Sequence, residues 1–410
     1  MFRSPQNYRT FLTVVLTYTL DLVGFSIAFP VIAPLLLNAH SGFFAPDTAL
    51  AAKTTVIGLI FAIFGVAQFI GSPIAGALAD HYGRYKVFLW SIALSIVGYA
   101  LMAVSIYAEN LTWLFIGRIV TGLCSGNFAL AQSATADLTD DQHRSRAFGI
   151  LLGVGGLGFV AGPWAGGILA NPNWLHGSGA FIFAAIASLI NLIVIYFFYV
   201  ETWQRKKEHA HITIFHTFKD IRLVFQHKTL RKILNAYLLF SVGWAFFLIF
   251  SPTFLVQKFS MNSHEIGNVY AYMSVVWFFG SMYLNQQLSA KCSLRTLFLI
   301  GTVIATVGVA LFVFPNTLWP YWYIIPIALI GGALSWVNIG ALLSLRASKD
   351  MQGRAMGAGG SMWSIGQIIS PLAAGPLAGW NMYSPLLIGS VIILLSFLYF
   401  LLSYKDTQRS

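Results

Sequence analysis

The chain has 410 residues, of which 57% are apolar and only 9% charged, and its formal net charge is +11. Soluble domains carry about 25% charged residues, so this composition excludes a soluble enzyme or a soluble binding domain. The two cysteines, Cys124 and Cys292, are isolated from each other and predict no disulfide.

Long apolar runs dominate the chain. About 20 apolar residues are needed to cross a bilayer, and we identify twelve such runs, which predict an all-α integral membrane protein without a soluble domain of its own. In chain order they lie at 10–37, 55–79, 87–108, 112–136, 148–170, 178–199, 232–256, 265–288, 296–314, 320–345, 355–378 and 384–403.

The placement of basic residues predicts the orientation. Of the 24 Lys and Arg residues, all except Lys53, Lys258 and Arg118 fall on the side that both termini share. Positive charge accumulates on the cytoplasmic side of membranes, so we expect both termini to be cytoplasmic in an inner (plasma) membrane. The basic residues are spread over short loops, which argues against nucleic acid as a partner and favours contact with anionic membrane lipids.

Two charged residues lie well inside predicted spans. Asp21 is in the first span and Arg118 in the fourth. Charged side chains inside a membrane are costly and mark functional sites by default. We predict that Asp21 binds and releases a proton, and that Arg118 changes its proton affinity when the two approach. The alternative is a static structural ion pair.

A charged loop follows the second span and reads Gly76-x-x-x-Asp80-x-x-Gly83-Arg84-x-Lys86. The acid can accept hydrogen bonds from the N-terminus of a neighbouring helix or pair with a cation. We predict a gating cluster that holds the two halves together on the cytoplasmic side and releases them during transport. The alternative is that the loop only marks a cytoplasmic turn.

The fifth span is rich in small residues at regular spacing. Glycines four residues apart lie on one helix face and permit close helix contact, whereas proline removes a backbone donor and bends the helix. Packing alone and control of opening both explain this pattern. The pattern consists of Gly149, Gly158, Gly162, Pro163, Gly166 and Gly167.

The second half of the chain repeats the first. The segment Arg146 to Gly149 recurs as Arg354 to Gly357, and Pro163 recurs as Pro371. In a membrane protein, such duplication indicates a transporter whose halves move around a shared site near the midplane. We therefore predict two six-helix bundles, at 1–200 and 232–410, and a cytoplasmic linker at 201–231.

Polar and aromatic side chains within the spans are candidates to line the substrate cavity. Amides that face lipid are costly, and aromatic faces suit a lipophilic, planar or cationic substrate. The candidates are Gln68, Asn127, Gln132, Trp244, Tyr270, Trp277, Trp336, Asn338, Trp363 and Gln367.

These motifs together resemble a known transporter family. Gly76 to Lys86 resembles loop motif A of the major facilitator superfamily, Leu114 to Gly122 resembles its motif B, and Gly149 to Gly167 matches its antiporter motif C. Leu20 to Pro34 is similar to the first span of TetA-type tetracycline efflux proteins. The resemblance implies the twelve-span fold of that superfamily and its drug:proton antiporter branch.

The chain departs from this family pattern at several positions. Motif A usually has a cation directly after its acid, where this chain has His81. TetA-type proteins carry acids in the third and ninth spans that serve the substrate–metal complex and the proton, and residues 87–108 and 296–314 contain none. The resemblance thus implies Asp21 as proton carrier and does not favour a tetracycline–magnesium complex as substrate.

The sequence therefore predicts a proton-coupled exporter of small, lipophilic, drug-like molecules that works by alternating access as a monomer. We expect no cofactor or bound metal other than protons as the coupling ion, and no enzymatic activity, because no nucleophile–base pair or phosphate loop is present. The alternatives are export of a dedicated metabolite or siderophore, and import by a symporter or uniporter.

Overall fold

The computed structural model describes residues 5–38, 42–140, 143–173, 175–202, 222–348 and 351–404. Within these ranges the chain is helical and contains no β-strand. The first part of the chain forms α1 (Pro5–Ser26), α2 (Phe29–Leu37), α3 (Leu50–Tyr82), α4 (Arg84–Tyr107), α5 (Leu111–Cys124), α6 (Asn127–Leu138), α7 (Arg144–Leu169) and α8 (Gly179–Phe198).

After a helical stretch at 222–226, the remaining helices begin at Lys228. They are α9 (Lys228–Phe259), α10 (Ser263–Phe278), a π-helix at Phe279–Leu284, α11 (Asn285–Ser289), α12 (Leu294–Leu311), α13 (Tyr321–Arg346), α14 (Gln352–Trp380) and α15 (Ser384–Ser403). Of the linker predicted at 201–231, residues 203–221 lie outside the described ranges.

The prediction of a multi-pass helical membrane protein is confirmed. Among the described residues, ten helical segments are long and apolar enough to cross a membrane. The predicted spans at 265–288 and 355–378 are helical too, but the first is divided by the π-helix and the second, α14, is rich in glycine and serine. The helix pattern is consistent with twelve spans.

Three predicted spans are interrupted in the structure. The first breaks between α1 and α2, where Pro30 occupies the first turn of the new helix, a position that needs no amide donor. The fourth breaks at Ser125 and Gly126, between α5 and α6. The eighth contains the π-helix, a feature that often occurs at functional sites. Apolar composition alone signals none of these interruptions.

The helices form two compact units that do not follow the order of the sequence. Unit 1 comprises Met1–Asp47, Ile63–Ile214 and Ser260–Ala271, and unit 2 comprises Thr48–Ala62, Phe215–Phe259 and Tyr272–Ser410. The start of α3 thus belongs to unit 2, and the start of α10 belongs to unit 1.

Small residues bring α7 against α1 in unit 1. A Cβ atom at Gly158 would overlap the backbone oxygen of Thr19, and one at Gly162 would lie 2.7 Å from the backbone oxygen of Val23. The predicted close packing of this glycine face therefore occurs, and α1 is the helix against which it packs. Gly149, in the first turns of the same helix, has no neighbouring heavy atom within 4 Å of a built Cβ.

A second glycine contact joins α4 and α5 in unit 1. A Cβ at Gly117 would lie 2.7 Å from the backbone oxygen of Gly98, and one at Gly98 would lie 3.2 Å from that of Gly117. The two backbones are therefore nearly in contact. As a result, the residues that follow these glycines, Tyr99 and Arg118, lie at the same level of the helix pair.

Glycine contacts also bring helices together in unit 2. Gly301 on α12 meets the backbone of Gly331 on α13, and Gly243 on α9 meets that of Gly389 on α15. At one end of this unit, the Lys258 ammonium donates to the backbone oxygen of Val313 at 2.7 Å. These close approaches give helix contact by van der Waals packing, which is the main attraction between helices in lipid.

Glycine substitutions in α7 should separate packing from other roles. We expect Gly158→Ala to destabilise the protein by about 1–3 kcal/mol because the methyl group overlaps α1. Gly149→Ala should be neutral or slightly stabilising, because its methyl group meets no atom and alanine favours a helix. Thermal unfolding of the two detergent-solubilised variants measures the difference, and equal melting temperatures would contradict this packing.

Candidate functional site

The carboxylate of Asp21 lies inside unit 1. Asn127 provides a side-chain hydrogen bond to it, and its Oδ2 atom is buried without a hydrogen-bond partner among the described residues. A buried carboxylate with an unfilled acceptor is costly to keep charged. The local arrangement therefore suits a group that takes up a proton.

Asn127 is held by a second side chain. Its Oδ1 atom accepts a hydrogen bond from the Ser91 hydroxyl at 2.5 Å, and the residue is 2% exposed. Because Oδ1 faces Ser91, the amide NH2 group is the part available to Asp21. Asn127 is the first residue of α6, directly after the interruption of the fourth span, so this interruption brings an amide to the acid.

Tyr99 connects the two predicted charges. A Cβ atom at Gly24, about one helical turn after Asp21, would overlap the Tyr99 hydroxyl, so this hydroxyl lies directly against α1. Tyr99 interacts electrostatically with both Asp21 and Arg118. The glycine contact between α4 and α5 holds Tyr99 and Arg118 level with each other.

Arg118 is almost fully buried, at 2% exposure. Its guanidinium carbon lies 4.4 Å from the ring centroid of Phe64 on α3, a cation–π geometry that stabilises a desolvated cation. The structure thus places Asp21 and Arg118 in one polar region of unit 1, with Tyr99 interacting with both. This region can hold a charge, a proton, or both in turn.

The charged loop after α3 forms a separate cluster. Gly83 adopts a positive φ of 91°, a conformation that favours glycine, and it separates α3 from α4. Arg84 is buried and pairs with Asp137 near the end of α6 at 2.9 Å. Asp80 and Lys86 are exposed, and Asp80 interacts electrostatically with Asp137.

The N-terminus of α4 is capped by Glu201. Its carboxylate accepts hydrogen bonds from the backbone amides of Arg84 and Tyr85, at 3.2 and 3.1 Å. A carboxylate at this position satisfies free amides and complements the helix dipole. The predicted partner of Asp80 was a helix N-terminus or a cation. In unit 1, it is Glu201 that makes such a contact with α4.

Two side chains in this part of unit 1 make local contacts. The hydroxyl of Tyr199, which follows α8, lies 2.9 Å from that of Thr202. A hydrogen bond with the His143 ring, 2.7 Å away, lowers the pKa of Asp140, whose carboxylate is exposed. His143 thus favours the charged form of Asp140.

The remaining glycines of the fifth-span pattern also mark close contacts in unit 1. Gly166 faces the backbone oxygen of Ile27, and Gly167 faces the backbone of Gly267 in α10. Pro163 lies inside α7, and its own backbone oxygen lies 2.7 Å from the Cβ position of Gly267. Gly76 has open space at its Cβ position.

The cavity candidates in unit 1 differ in exposure. Gln68 is half-buried and Gln132 is exposed, and the Gln132 side chain hydrogen-bonds Tyr18 on α1. Tyr270, in the part of α10 that belongs to unit 1, is buried and stacks on Phe29 with ring centroids 5.7 Å apart. Of this group, Gln68 and Gln132 are the side chains that keep accessible surface.

The cavity candidates in unit 2 form an aromatic cluster. Trp336 and Trp363 are half-buried and pack edge to face at 4.8 Å. Trp244 is buried, lies 5.5 Å from Trp277, and contacts Gly332, where a Cβ would overlap its ring. Edge-to-face pairs fix the orientation of large rings, so Trp336 and Trp363 present a defined aromatic surface.

The two amides predicted for this unit are buried. Asn338 is fully buried and donates to Oδ1 of Asn285 at 2.6 Å, while its own Oδ1 has no hydrogen-bond partner among the described residues. Gln367 is 5% exposed. Asn285 follows the π-helix directly, so the irregular turn places one amide against another.

Several residues of these networks were not among the predicted site residues. Glu201 is the first acid after the sixth span. An acid directly after a span can reach the N-terminus of a neighbouring helix, so its position was a possible signal for a helix cap. Tyr99 follows a glycine in an apolar span, and Ser91 is one of several serines in that span. For Tyr99 and Ser91 the sequence contains no comparable signal, because their role depends on which helix lies next to α4.

Comparison with known proteins agrees with this architecture. A sequence profile of the Major Facilitator Superfamily matches residues 14–332 and 233–410. The tetracycline resistance protein, class H, of Pasteurella multocida is 30% identical over 367 residues, which cover 89% of this chain and 88% of that protein. The class C protein of Escherichia coli is 27% identical over 376 residues, covering 89% and 90%.

A solved structure has the same fold. The crystal structure of the human organic anion transporter MFSD10 (TETRAN) aligns with 97% of this chain and 100% of its own, with a TM-score of 0.72 at 20% sequence identity. At this identity the likeness concerns the fold, and it agrees with the helical architecture described above.

The cap of α4 gives a testable difference between two acids. We expect Glu201→Ala to destabilise the protein by about 1 kcal/mol, because two amides lose their acceptor. Asp80→Ala should be close to neutral, because Asp80 is exposed and its interaction with Asp137 is between like charges. Thermal unfolding at low salt measures both, and a larger loss for Asp80→Ala would contradict the assignment.

Proposed function

Because this chain belongs to the Major Facilitator Superfamily, a family of membrane transporters, we propose that it is a proton-coupled exporter of small, lipophilic organic molecules. Protons are the coupling ion and alternating access is the mode of transport. The observation that carries the proposal is the buried polar region of unit 1, where Asp21 is hydrogen-bonded to Asn127 and Tyr99 interacts with both Asp21 and Arg118.

The chemistry of Asp21 supports proton coupling. A carboxylate with a buried, unfilled acceptor atom gains from protonation, while the hydrogen bond from the Asn127 amide favours the ionised form. The two charge states are therefore balanced by opposing effects. A change in solvent access to Asp21 is then enough to load or unload a proton.

The relatives support export of an organic compound. The class H and class C proteins of similar length are named for tetracycline resistance. The third predicted span and the ninth contain no acid in this chain, so we propose that the substrate is recognised without a metal bridge. The aromatic surface of Trp336 and Trp363 in unit 2 suits a planar, lipophilic molecule.

The proposed cycle assigns each group one task. Substrate enters from the cytoplasm while Asp21 releases its proton to that side. Substrate leaves on the outer side, and a proton from that side returns to Asp21. Arg118 disfavours the protonated acid, and the cluster of Asp80, Gly83, Arg84 and Lys86 stabilises one end state.

Transport into inside-out membrane vesicles with an acidic interior tests the coupling. With tetracycline as the probe, vesicles that contain the wild-type protein should accumulate it, in Mg²⁺ and in EDTA. Asp21→Asn should reduce accumulation to the level of vesicles without the protein, because an amide carries no proton. The matched control is Asp47→Asn, an exposed acid, which should transport like wild type. Undiminished transport by Asp21→Asn contradicts proton coupling through this residue.

Tryptophan fluorescence tests the aromatic surface. Tetracycline should quench the fluorescence of the purified protein, and the double variant Trp336→Phe, Trp363→Phe should lose most of this quenching because the nearest donors are gone. Trp319→Phe is the control, since Trp319 is 68% exposed and packs on Tyr323. Full quenching in the double variant would place the substrate elsewhere.

A further inference from the structure

We infer that Asn127 is a positioning residue whose side-chain amide reverses its orientation when Asp21 gains or loses a proton. Ser91 makes both orientations possible. This inference rests on the proposed function, because it needs an Asp21 that gains and loses a proton. It assigns Asn127 to proton coupling rather than to the substrate cavity, and it adds Ser91 to the same machinery.

The Ser91 hydroxyl lies within hydrogen-bond distance of two acceptor atoms. Its oxygen lies 2.8 Å from the backbone oxygen of Val87 and 2.5 Å from Oδ1 of Asn127. A hydroxyl has one proton to donate and two lone pairs to accept with. Ser91 can therefore donate to Asn127, or it can donate to Val87 and accept a hydrogen bond from Asn127 instead.

The side-chain amide of Asn127 has one orientation for each choice that Ser91 makes. When Ser91 donates to Oδ1, the NH2 group of Asn127 faces Asp21 and donates to the charged carboxylate. When Ser91 donates to Val87, a reversed Asn127 donates its NH2 group to Ser91. Its Oδ1 then faces Asp21 and accepts from the protonated carboxyl. Each charge state of Asp21 thus has a matching amide orientation in which no donor meets another donor.

The groups around Asp21 differ in what they can offer it. The titratable or charged groups around Asp21 are Tyr99 on α4 and Arg118 and Cys124 on α5. Tyr18 on α1 interacts with Gln132. Residues 147–169 of α7 contain no titratable side chain, and α8 contains only Tyr196, which is exposed. Among the described residues, Asn127 is the side chain that hydrogen-bonds Asp21, and its amide can present either a donor or an acceptor.

The location of Asn127 gives the switch a consequence. It is the first residue of α6, and Asp137 near the other end of this short helix pairs with Arg84. Asp137 lies ten positions after Asn127, which corresponds to about 15 Å of helix. A change in hydrogen bonding at Asn127 therefore acts on the helix that carries the partner of the charged loop.

Solid-state NMR of the full-length protein in lipid bilayers tests the inference without a substrate. Asparagine labelled with ¹⁵N at the side chain and aspartate labelled with ¹³C at the carboxyl group report on the two residues, and Asn127→Gln and Asp21→Leu identify their signals. The signals are followed across a pH series. We expect the Asn127 amide signal to shift together with the Asp21 carboxyl signal, and to stay fixed in Asp21→Leu.

Asn191 is the internal control. It is a buried amide that accepts a hydrogen bond from Thr17, one helical turn before Asp21 on α1, so its signal should stay fixed. Ser91→Ala should abolish most of the Asn127 shift, because one of the two orientations loses its partner, and Ser91→Thr should restore it. Restoration by the conservative variant separates this role from general packing.

The outcomes separate the two proposals. A titrating Asp21 beside a fixed Asn127 overturns this inference and leaves proton coupling intact. An Asp21 signal that never changes with pH overturns proton coupling and this inference with it. An Asn127 signal that still shifts in Asp21→Leu, or an Asn191 signal that shifts as well, also overturns the inference.

Discussion

The cost of placing a carboxylate among apolar helices is the constraint on which the rest of the site depends. Asp21 lies in a span that is otherwise built for lipid and helix contact, and one of its oxygens has no partner among the described residues. Burial of a polar group without a hydrogen bond costs about 1–3 kcal/mol in proteins, and a charge costs more. Such a residue persists where neighbouring groups offset the cost in both of its charge states.

Close helix contact makes that compensation possible. Gly24 leaves room for the Tyr99 hydroxyl, and the contact between Gly98 and Gly117 sets Tyr99 level with Arg118. The interruption of the fourth span turns Asn127 toward Asp21. Small residues and one broken helix therefore position four polar side chains that belong to different helices. In lipid, such packing is also what holds the helices together, so stability and site geometry have the same origin.

The charged cluster at the end of α3 also depends on partners for polar groups. Asp137 pairs with the buried side chain of Arg84, and Glu201 accepts hydrogen bonds from the free backbone amides at the start of α4. Asp80 stays exposed in this arrangement, so its proposed contribution to gating needs a different state of the molecule. Because α6 carries both Asn127 and Asp137, the polar region around Asp21 and this cluster share one helix.

The sequence by itself determined the membrane class, the helical fold and the two charged residues inside the spans, Asp21 and Arg118. Apolar run length and intramembrane charge are properties of local composition. It also indicated the glycine face of α7, since a repeat of four residues needs no knowledge of the partner. Only the tertiary structure decided that α1 is that partner, that Glu201 caps α4, that Tyr99 lies beside Asp21, and that Ser91 holds the Asn127 side chain. These contacts join residues from 36 to 139 positions apart in the chain. The order of residues along one helix contains no information about which side chains of another helix it will meet.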